Sequence, residues 1–318
     1  MSLDNDSVYV MGRRSVRLPR FTAASSGTAW AYDMMGTGEI HAKGFTGEGV
    51  VIAVLDTGCA ISHPYIKGAI LSGANFTRDY NADYGNYGDN NSHGTHIAGI
   101  ISARKNPTNS MCGIAPGARL VIYKVLEGDG GGDVAPIVRA INSAIAFRGE
   151  GGERVSIISM SFGTSKDYSS LRYAIKKAAQ RGILMVTAAG NEGDNNKSTL
   201  EISYPGYYPH VIQVGAMDKD KKIPSFSNAN RNVDLVAPGV SVLSLGLNKD
   251  YTVMTGTSMA APHISGAAAI IIEMYRKKYN VSPTPSQIYS ILCGATQNLG
   301  YSPHLQGKGM FTFSRLKV

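Results

Sequence analysis

The stretch VVIAVLDTG, residues 50–58, decides the fold of this chain. It is a run of apolar and mostly β-branched residues that ends in an aspartate, a threonine and a glycine. Similar apolar runs recur at 119–126, 155–163, 183–191 and 211–216. Uninterrupted apolar runs of this length are typical of strands that are covered on both faces, as in a parallel sheet.

Segments with helical periodicity lie between these runs, at 93–103, 134–147 and 169–182. Alternating strands and helices predict a doubly wound α/β fold, with a mostly parallel sheet flanked by helices. We predict that residues 1–44 form an N-terminal extension and that residues 45–318 form a single domain.

The composition excludes several classes of protein. Hydrophobic residues make up 43% of the 318 residues and charged residues 17%, as in globular proteins. The formal net charge is +8, but the sequence has neither an arginine-rich run nor a basic stripe interleaved with aromatic residues. We therefore expect a solvated basic surface and no nucleic-acid partner. The longest apolar runs are shorter than about 18 residues, so we expect no membrane span.

The three cysteines, Cys59, Cys112 and Cys293, are odd in number and widely spaced, which indicates neither a disulfide framework nor a metal site. We expect them to be reduced thiols, as in a reducing compartment. The first 21 residues lack the apolar segment of a signal peptide. These features predict a cytoplasmic protein, or a secreted one if the chain has been trimmed.

Three polar residues stand at predicted strand ends, where ligand sites of open α/β sheets lie: Asp56, Ser161 and Asn191. Asp56 follows five apolar residues, so its carboxylate is costly to bury unless a partner stabilises it. Two interpretations of Asp56 remain open. It is either a functional carboxylate with a partner or the first residue of an Asp-Thr-Gly turn.

The segment NSHGTHIAG, residues 91–99, supplies two histidines. We expect His93 to lie where a loop meets a helix and to face a cleft, and His96, one turn further, to pack in the core. A zinc pair of the zincin type needs a spacing of four residues with a glutamate between them, which this segment lacks.

Ser258 lies in TGTSMAAPH, residues 255–263, at the predicted start of a long apolar helix. A serine at this position is either a helix cap or a nucleophile, and a nucleophilic serine needs a base beside it. The chain order Asp56, His93, Ser258 is one of the known orders of a Ser-His-Asp triad.

Four segments, VIAVLDTG, NSHGTHIAGII, AAGNEG and GTSMAAPHISG, resemble the signature blocks of the subtilisin-like serine proteases. The resemblance runs from about Thr46 to Gly309 and is strongest to the intracellular subtilisins. It implies that Ser258 attacks the scissile carbonyl, that His93 acts as general base, and that Asp56 orients the imidazole. It further implies that Asn191 donates to the oxyanion.

The resemblance also implies where substrate binds. An extended peptide would pair with the edges at 130–132 and 161–163, and a pocket of small residues would favour a large apolar side chain at P1. The substrate-binding residues implied in this way are Gly130, Gly131, Gly132, Val134, Ser161, Phe162, Gly163, Ala189, Gly190, Glu192 and Ser203. A cis peptide is expected at Tyr204-Pro205.

Many relatives carry a tight calcium site with a carboxylate after the segment SHP. Here that position is Tyr65, and the neighbouring loop brings Arg104 and Lys105, so we expect the tight site to be absent. The resemblance implies a weaker structural site for calcium or sodium at Asp234 and the main-chain carbonyls of Gly206, Tyr208 and Val211. No catalytic cofactor is expected.

The segment VRLPRF, residues 16–21, resembles the inhibitory element of the intracellular branch, with Pro19 in the bend. Our hypothesis is that residues 1–25 inhibit the enzyme and are removed by proteolysis; the alternative is a disordered basic tail. The resemblance also makes a homodimer an expectation, although the sequence carries no signal for one.

The predicted function is a serine endopeptidase of broad specificity that acts on proteins or peptides. A dedicated leader- or precursor-processing subtilase of narrow specificity is the alternative. A catalytically inactive homologue that serves as a binding module is disfavoured, because all four catalytic residues are present.

Overall fold

The structure is a computed structural model that describes residues 8–10, 14–17, 30–106, 111–194, 196, 198–249 and 251–317. The first two ranges are described by their backbone alone.

The strands of the described chain are β1 (Val8–Val10), β2 (Arg14–Arg17), β3 (Val51–Asp56), β4 (Ile70–Asn75), β5 (Arg119–Lys124), β6 (Gly131–Gly132), β7 (Val155–Met160), β8 (Phe162–Gly163), β9 (Leu184–Ala188), β10 (Val211–Met217), β11 (Val233–Pro238), β12 (Val242–Leu245), β13 (Tyr251–Thr255), β14 (Thr296–Gln297) and β15 (Met310–Phe311). The α-helices are α1 (Trp30–Met34), α2 (Thr37–Ala42), α3 (His93–Ser102), α4 (Val134–Ala146), α5 (Ser169–Gln180), α6 (Thr257–Tyr279), α7 (Pro285–Gly294) and α8 (Pro303–Gln306).

The central sheet confirms the predicted α/β fold. In the described part of the chain it has the order β14-β15-β11-β10-β9-β7-β3-β5-β4. Its neighbours run parallel except for β14, which pairs antiparallel with β15. Every residue of β3 is buried, because helices cover the sheet on both sides.

Two hydrophobic clusters cover the two faces of this sheet. One contains residues of α3 and α6, such as Ile97 and Ile264. The other contains residues of α4 and α5, such as Ile137 and Ile175. All five predicted strand runs and all three predicted helices are present, with ends that differ by a few residues.

The structure departs from the predicted boundary at residue 44. Helices α1 and α2 lie within the predicted extension, yet Met35 is fully buried in the larger cluster and Ile40 is also buried there. The apolar residues of this stretch are too few to show a period, but they complete the core beside Phe313. Residues 30–44 therefore pack with the domain that follows them.

Two small antiparallel sheets flank the central one. Strand β1 lies between β6 and β8, and β2 pairs with β13 beside β12. The structure describes only part of the proposed inhibitory segment at 16–21. Val16 and Arg17 belong to β2, and Pro19 lies outside the described residues.

Among the described residues, no helix is both long and apolar enough to cross a membrane. The three cysteines are free thiols; Cys59 is buried, and Cys112 and Cys293 are partly buried.

Candidate active site

Asp56 is the last residue of β3, and its side chain is 1% exposed. Its Oδ1 accepts hydrogen bonds from Nδ1 of His93 at 2.8 Å and from the backbone N–H of Thr57 at 2.7 Å. The partner that a buried carboxylate needs is thus His93, and the interpretation of Asp56 as only a turn residue is not needed.

Thr57 fixes the strand end that carries Asp56. Its hydroxyl accepts from the backbone N–H of Gly94 at 2.9 Å and donates to Asp89 at 2.9 Å. Gly94 follows His93, and a Cβ on it would lie 2.1 Å from the carbonyl oxygen of Gly58. A glycine is therefore required for α3 to approach β3 closely enough for the Asp56–His93 hydrogen bond.

His93 begins α3, as expected, and is 1% exposed. The loop before it is held by Asp89, whose carboxylate accepts from the backbone N–H groups of Asn91, Ser92 and Thr95 at 2.9, 3.1 and 2.9 Å. With Nδ1 committed to Asp56, Nε2 is the ring nitrogen left to act, and it lies buried without a hydrogen-bond partner in the described part of the chain. This is the arrangement of a general base.

Ser258 is the second residue of α6 and is fully buried. Its hydroxyl donates to the carbonyl oxygen of Ser161 at 3.2 Å, and the Ser161 hydroxyl donates to the carbonyl oxygen of Ser258 at 3.0 Å. Pro262 lacks the N–H that would otherwise bond to that carbonyl within the helix. The Ser161 hydroxyl supplies the missing donor. The two hydrogen bonds between Ser161 and Ser258 hold the predicted nucleophile against the predicted wall of the P1 pocket.

Asn191 lies beside Ser258 through a shared neighbour, Thr257. Its Oδ1 accepts from the backbone N–H of Thr257 at 2.9 Å and from the Thr257 hydroxyl at 3.1 Å. These bonds fix the side-chain amide, and its Nδ2 is buried without a hydrogen-bond partner among the described residues. A buried N–H donor with no acceptor is costly, and an oxyanion would supply the acceptor.

His96 lies one turn from His93 and confirms the expectation of a core histidine. It is fully buried, and its Nε2 lies 3.0 Å from the carbonyl oxygens of both Val242 and Thr252. Burial lowers its pKa to about 3, so the ring stays neutral. Its role is to join α3 to the β12–β13 sheet.

The two predicted substrate edges flank one strand, β1. Residues Val8–Val10 pair antiparallel with Gly131–Gly132 on one side and with Phe162–Gly163 on the other. Gly130 precedes the first edge with a φ of 89°. The chain's own N-terminal segment thus occupies the position expected for a substrate.

The wall at 188–190 contains small residues. Ala189 is fully buried, and Gly190 has a φ of 115°, with Asn228 so close that any Cβ would collide with it. Glu192 at the rim is tied down, because its Oε2 accepts from the backbone N–H of Asn191 and from Nδ2 of Asn228, both at 3.0 Å.

Two more of the predicted substrate-binding residues, Ser203 and Val134, are described by the structure. Ser203 is buried beside the cis peptide Tyr204-Pro205, as expected. Val134 and Gly132 line an open cavity of about 860 Å³ together with Phe76, Tyr84 and Tyr168. Through Gly132 this cavity adjoins the predicted substrate edge at 130–132.

Two residues on which the expected absence of the tight calcium site rests have partners of their own. The Arg104 guanidinium donates to the carbonyl oxygen of Pro116, and the ring of Tyr65 packs near those of His63 and Tyr251. Neither side chain is an oxygen ligand of the kind that calcium requires, and residues 107–110 of the same loop lie outside the described residues.

Asp234, the predicted weak site, is a partly buried carboxylate. Its Oδ2 accepts from the backbone N–H of Gln213 and its Oδ1 from the hydroxyl of Tyr289, both at 2.8 Å. Burial raises its pKa to about 6. In the described part of the chain no three His, Cys, Asp or Glu residues gather into a metal site, so main-chain oxygens would have to supply the other ligands.

Sequence reasoning missed three residues that support the site: Thr57, Asp89 and Lys124. Thr57 stands in the Asp-Thr-Gly segment that also suits a turn, and Asp89 stands two residues before the segment NSHGTHIAG, where the sequence gives no signal for its role. Lys124 is fully buried at the end of β5. A lysine at the end of an apolar run is the signal that would have found it, because a buried ammonium needs a ring of oxygen partners.

Comparison with known proteins agrees with this geometry. The model of the subtilase family, peptidase S8, matches residues 47–309. The major intracellular serine protease of Bacillus subtilis (strain 168) is 43% identical over 272 residues, which cover 85% of this chain and 83% of the relative. The intracellular serine protease of Paenibacillus polymyxa is 44% identical over 264 residues, 83% of this chain and 79% of the relative.

Subtilisin DY of Bacillus licheniformis is 38% identical over 276 residues, which cover 86% of this chain and 92% of the relative. The family match spans most of the chain and includes the segments that carry Asp56, His93, Asn191 and Ser258. This chain therefore belongs to the subtilase family of serine peptidases.

Proposed function

We propose that this chain is an endopeptidase in which Ser258, His93, Asp56 and Asn191 carry out catalysis. The observation that supports this best is the buried 2.8 Å hydrogen bond between His93 and Asp56. Among the described residues, Nε2 of His93 and Nδ2 of Asn191 have no hydrogen-bond partner. The first can therefore accept a proton from Ser258, and the second can donate a hydrogen bond to the substrate oxyanion.

In the proposed mechanism the Ser258 hydroxyl turns from Ser161 and attacks the scissile carbonyl while Nε2 of His93 accepts its proton. Asp56 stabilises the imidazolium through Nδ1–H. Nδ2 of Asn191 and the backbone N–H of Ser258 donate to the tetrahedral oxyanion. His93 then protonates the leaving amine, and water attacks the acyl-enzyme by the same route in reverse.

We propose broad specificity with a preference for large apolar side chains at P1. The small residues at 161–163 and 188–190 leave room for such a side chain, and Ser203 closes the base. The open cavity beside Val134 would receive a second side chain further along the peptide. A profile confined to one leader sequence would favour the precursor-processing alternative instead.

We further propose that the N-terminal segment regulates this cleft. Its backbone pairs with both edges that a substrate would use, so the segment and a substrate exclude each other. The segment that fills the cleft is Val8–Val10, upstream of the motif at 16–21 that suggested the idea. Residues 1–25 precede α1, so their removal leaves the core helices α1 and α2 intact.

The experiment compares three proteins on a peptide anilide with Phe at P1: the full chain, the chain without residues 1–25, and the full chain with Ser258→Ala. We expect activity to rise on truncation and to vanish in Ser258→Ala. A synthetic peptide of residues 1–25 should inhibit the truncated enzyme competitively, and a scrambled peptide should not. Unchanged activity on truncation would remove the regulatory role and keep the peptidase.

We infer a weak structural calcium or sodium site at Asp234, with the carbonyls of Gly206, Tyr208 and Val211 as further ligands. A cation there would compete with the Tyr289 hydroxyl and with protonation near pH 6. Binding should therefore weaken as the pH falls below 6. Calcium titration followed by thermal denaturation, with Asp234→Asn as control, tests this.

We propose a cytoplasmic site of action. The two relatives named as intracellular proteases and the three free thiols support it. Cell fractionation tests the location, and sedimentation of the purified chain tests the expected homodimer.

A further inference from the structure

Lys124 is the last residue of β5 and lies directly beside Asp56 in the sheet register. Its side chain is 0% exposed. An ammonium group taken out of water is tolerated only when oxygen atoms surround it. The identity of those oxygens shows which parts of the molecule depend on this charge.

Nζ of Lys124 donates to three oxygens that belong to different parts of the active site. The first is the carbonyl oxygen of Thr57 at 2.8 Å, one residue after Asp56. The second is Oδ1 of Asn90 at 2.9 Å, in the loop that leads to His93. The third is the carbonyl oxygen of Leu126 at 3.0 Å, where the chain turns toward the substrate edge at 130–132.

A fourth partner, Asp79, lies 2.8 Å from Nζ and also accepts from Nδ2 of Asn90 at 3.1 Å. Burial alone would raise the pKa of Asp79, but the hydrogen bonds from Lys124 and Asn90 outweigh it, and the net effect lowers the pKa. The carboxylate therefore stays ionised opposite the ammonium.

Asp79 begins an unusual turn. The next three residues, Tyr80, Asn81 and Ala82, all have a φ of 57° or 58°, in the left-handed region that side chains disfavour. The ion pair with Lys124 helps hold the turn, and Ala82 in this turn lines the 860 Å³ cavity, as Val134 does. One ammonium thus contacts the residue after Asp56, the loop before His93, the segment that leads to the substrate edge, and the first residue of a turn that lines the cavity.

We propose that Lys124 is a positioning residue of this peptidase: its buried ammonium holds the segments that carry Asp56 and His93 in a fixed relation to the edge and the cavity that receive the peptide. The role rests on the proposed function and adds a residue to it. A compact ammonium suits oxygens that converge on one atom from different segments, as the four around Nζ do, whereas a planar guanidinium does not.

The test uses the full chain with Lys124→Met, Asp79→Asn and Asn90→Ala, and with Lys219→Met as a matched control, since Lys219 is exposed. Three quantities are measured: the melting temperature, kcat and KM for a tetrapeptide anilide and a single-residue anilide, and the downfield proton resonance of the His93 Nδ1–H shared with Asp56. The resonance reports the triad geometry without any need for turnover.

In Lys124→Met we expect the resonance to shift or broaden and kcat to fall by about 10²-fold on both substrates, as for an ångström-scale misplacement. In Asp79→Asn the resonance and kcat should stay, and KM should rise for the tetrapeptide alone, because only the cavity wall is loosened. Asn90→Ala should shift the resonance and lower kcat by a smaller factor. Lys219→Met should change nothing.

A folded Lys124→Met protein that melts earlier but keeps its resonance, kcat and KM would overturn the proposal and leave Lys124 a merely structural residue. If Lys124→Met does not fold, the two partly exposed partners decide: the proposal fails when neither Asp79→Asn nor Asn90→Ala alters the resonance or the kinetics. A folded wild-type protein without the resonance would contradict the Asp56–His93 pair, and hence the proposed function rather than the role of Lys124.

Discussion

Two regions of this molecule bury polar side chains in opposite ways. At the catalytic end of the sheet, Nε2 of His93, Nδ2 of Asn191 and Oδ2 of Asp56 are buried without hydrogen-bond partners among the described residues. At the far side of the same sheet, both oxygens of Asp234 accept hydrogen bonds. Buried polar atoms left unpartnered cost stability, and the Gln213 side chain beside Asp234 carries two more of them. What distinguishes the catalytic end is that its unpartnered atoms belong to the base, the oxyanion donor and the carboxylate of the proposed mechanism.

The comparison separates two kinds of substitution. Changes at the catalytic end should alter the rate far more than the stability. Changes at Asp234 should alter the stability and leave the rate unchanged.

Ser258→Ala should lower kcat by about 10⁶-fold, the scale known for loss of the nucleophile in subtilisin. The hydroxyl donates to the Ser161 carbonyl, so its removal should cost only about 1 kcal/mol of the free energy of unfolding. Hydrolysis of a peptide anilide and urea denaturation measure the two effects. A folded variant with undiminished activity would contradict the assignment.

Asn191→Ala should lower kcat by about 10²–10³-fold with little change in KM, the loss known for an oxyanion donor in subtilisin. The variant also removes the acceptor of the Thr257 N–H, at a cost of about 1 kcal/mol in stability. Steady-state kinetics with a matched Asn196→Ala control, at an exposed position, checks this. A change confined to KM would mean that Asn191 binds the ground state instead.

Asp234→Asn should leave kcat unchanged and raise the stability only at higher pH. The folded-state pKa of Asp234, about 6, lies above the ordinary value near 3.9. The native state therefore holds the proton more tightly, and its stability falls as the pH rises from about 4 through 6. The loss avoided by the variant above pH 6 is roughly 2–3 kcal/mol.

Thermal melts at pH 4, 5, 6 and 8 test this pH dependence, with Asp220→Asn as the exposed control. The curves of wild type and Asp234→Asn should converge at pH 4 and separate above pH 6. Parallel curves across the whole range would show that the pKa of Asp234 is not raised in the folded state.

Chelation of divalent cations should have the smallest effect, a shift of a few degrees at most. Arg104 and Tyr65 stand where the sequence resemblance places a tight calcium site, and we expect that site to be absent, which leaves the proposed weak site at Asp234. Melts with and without a chelator at pH 8 measure it. A drop of more than about 10 °C would reveal a tight site elsewhere.

Five strands of the central sheet could be predicted because apolar runs specify them locally. The places of Asp56, His93 and Ser258 at a strand end or at helix starts could be predicted for the same reason. The strands Val242–Leu245 and Tyr251–Thr255 escaped prediction because they are short and form their own antiparallel sheet. The packing of Met35 also escaped, since a lone apolar residue shows no period.

The supporting contacts could not be predicted, because their partners are distant along the chain. His96 bonds to carbonyl oxygens about 150 residues away, and the Ser258 carbonyl finds its donor in Ser161. The same holds for Lys124, whose place in an apolar run gives no hint of which oxygens surround it. Such contacts depend on the whole fold and become visible only in three dimensions.

The most direct test of the central claim is covalent labelling of the full chain with a fluorophosphonate, followed by peptide mass mapping. We predict a single label on Ser258 that disappears in Ser258→Ala and forms much more slowly in His93→Ala, with both variants folded. A label on another serine, or unchanged labelling of Ser258 in His93→Ala, would contradict it.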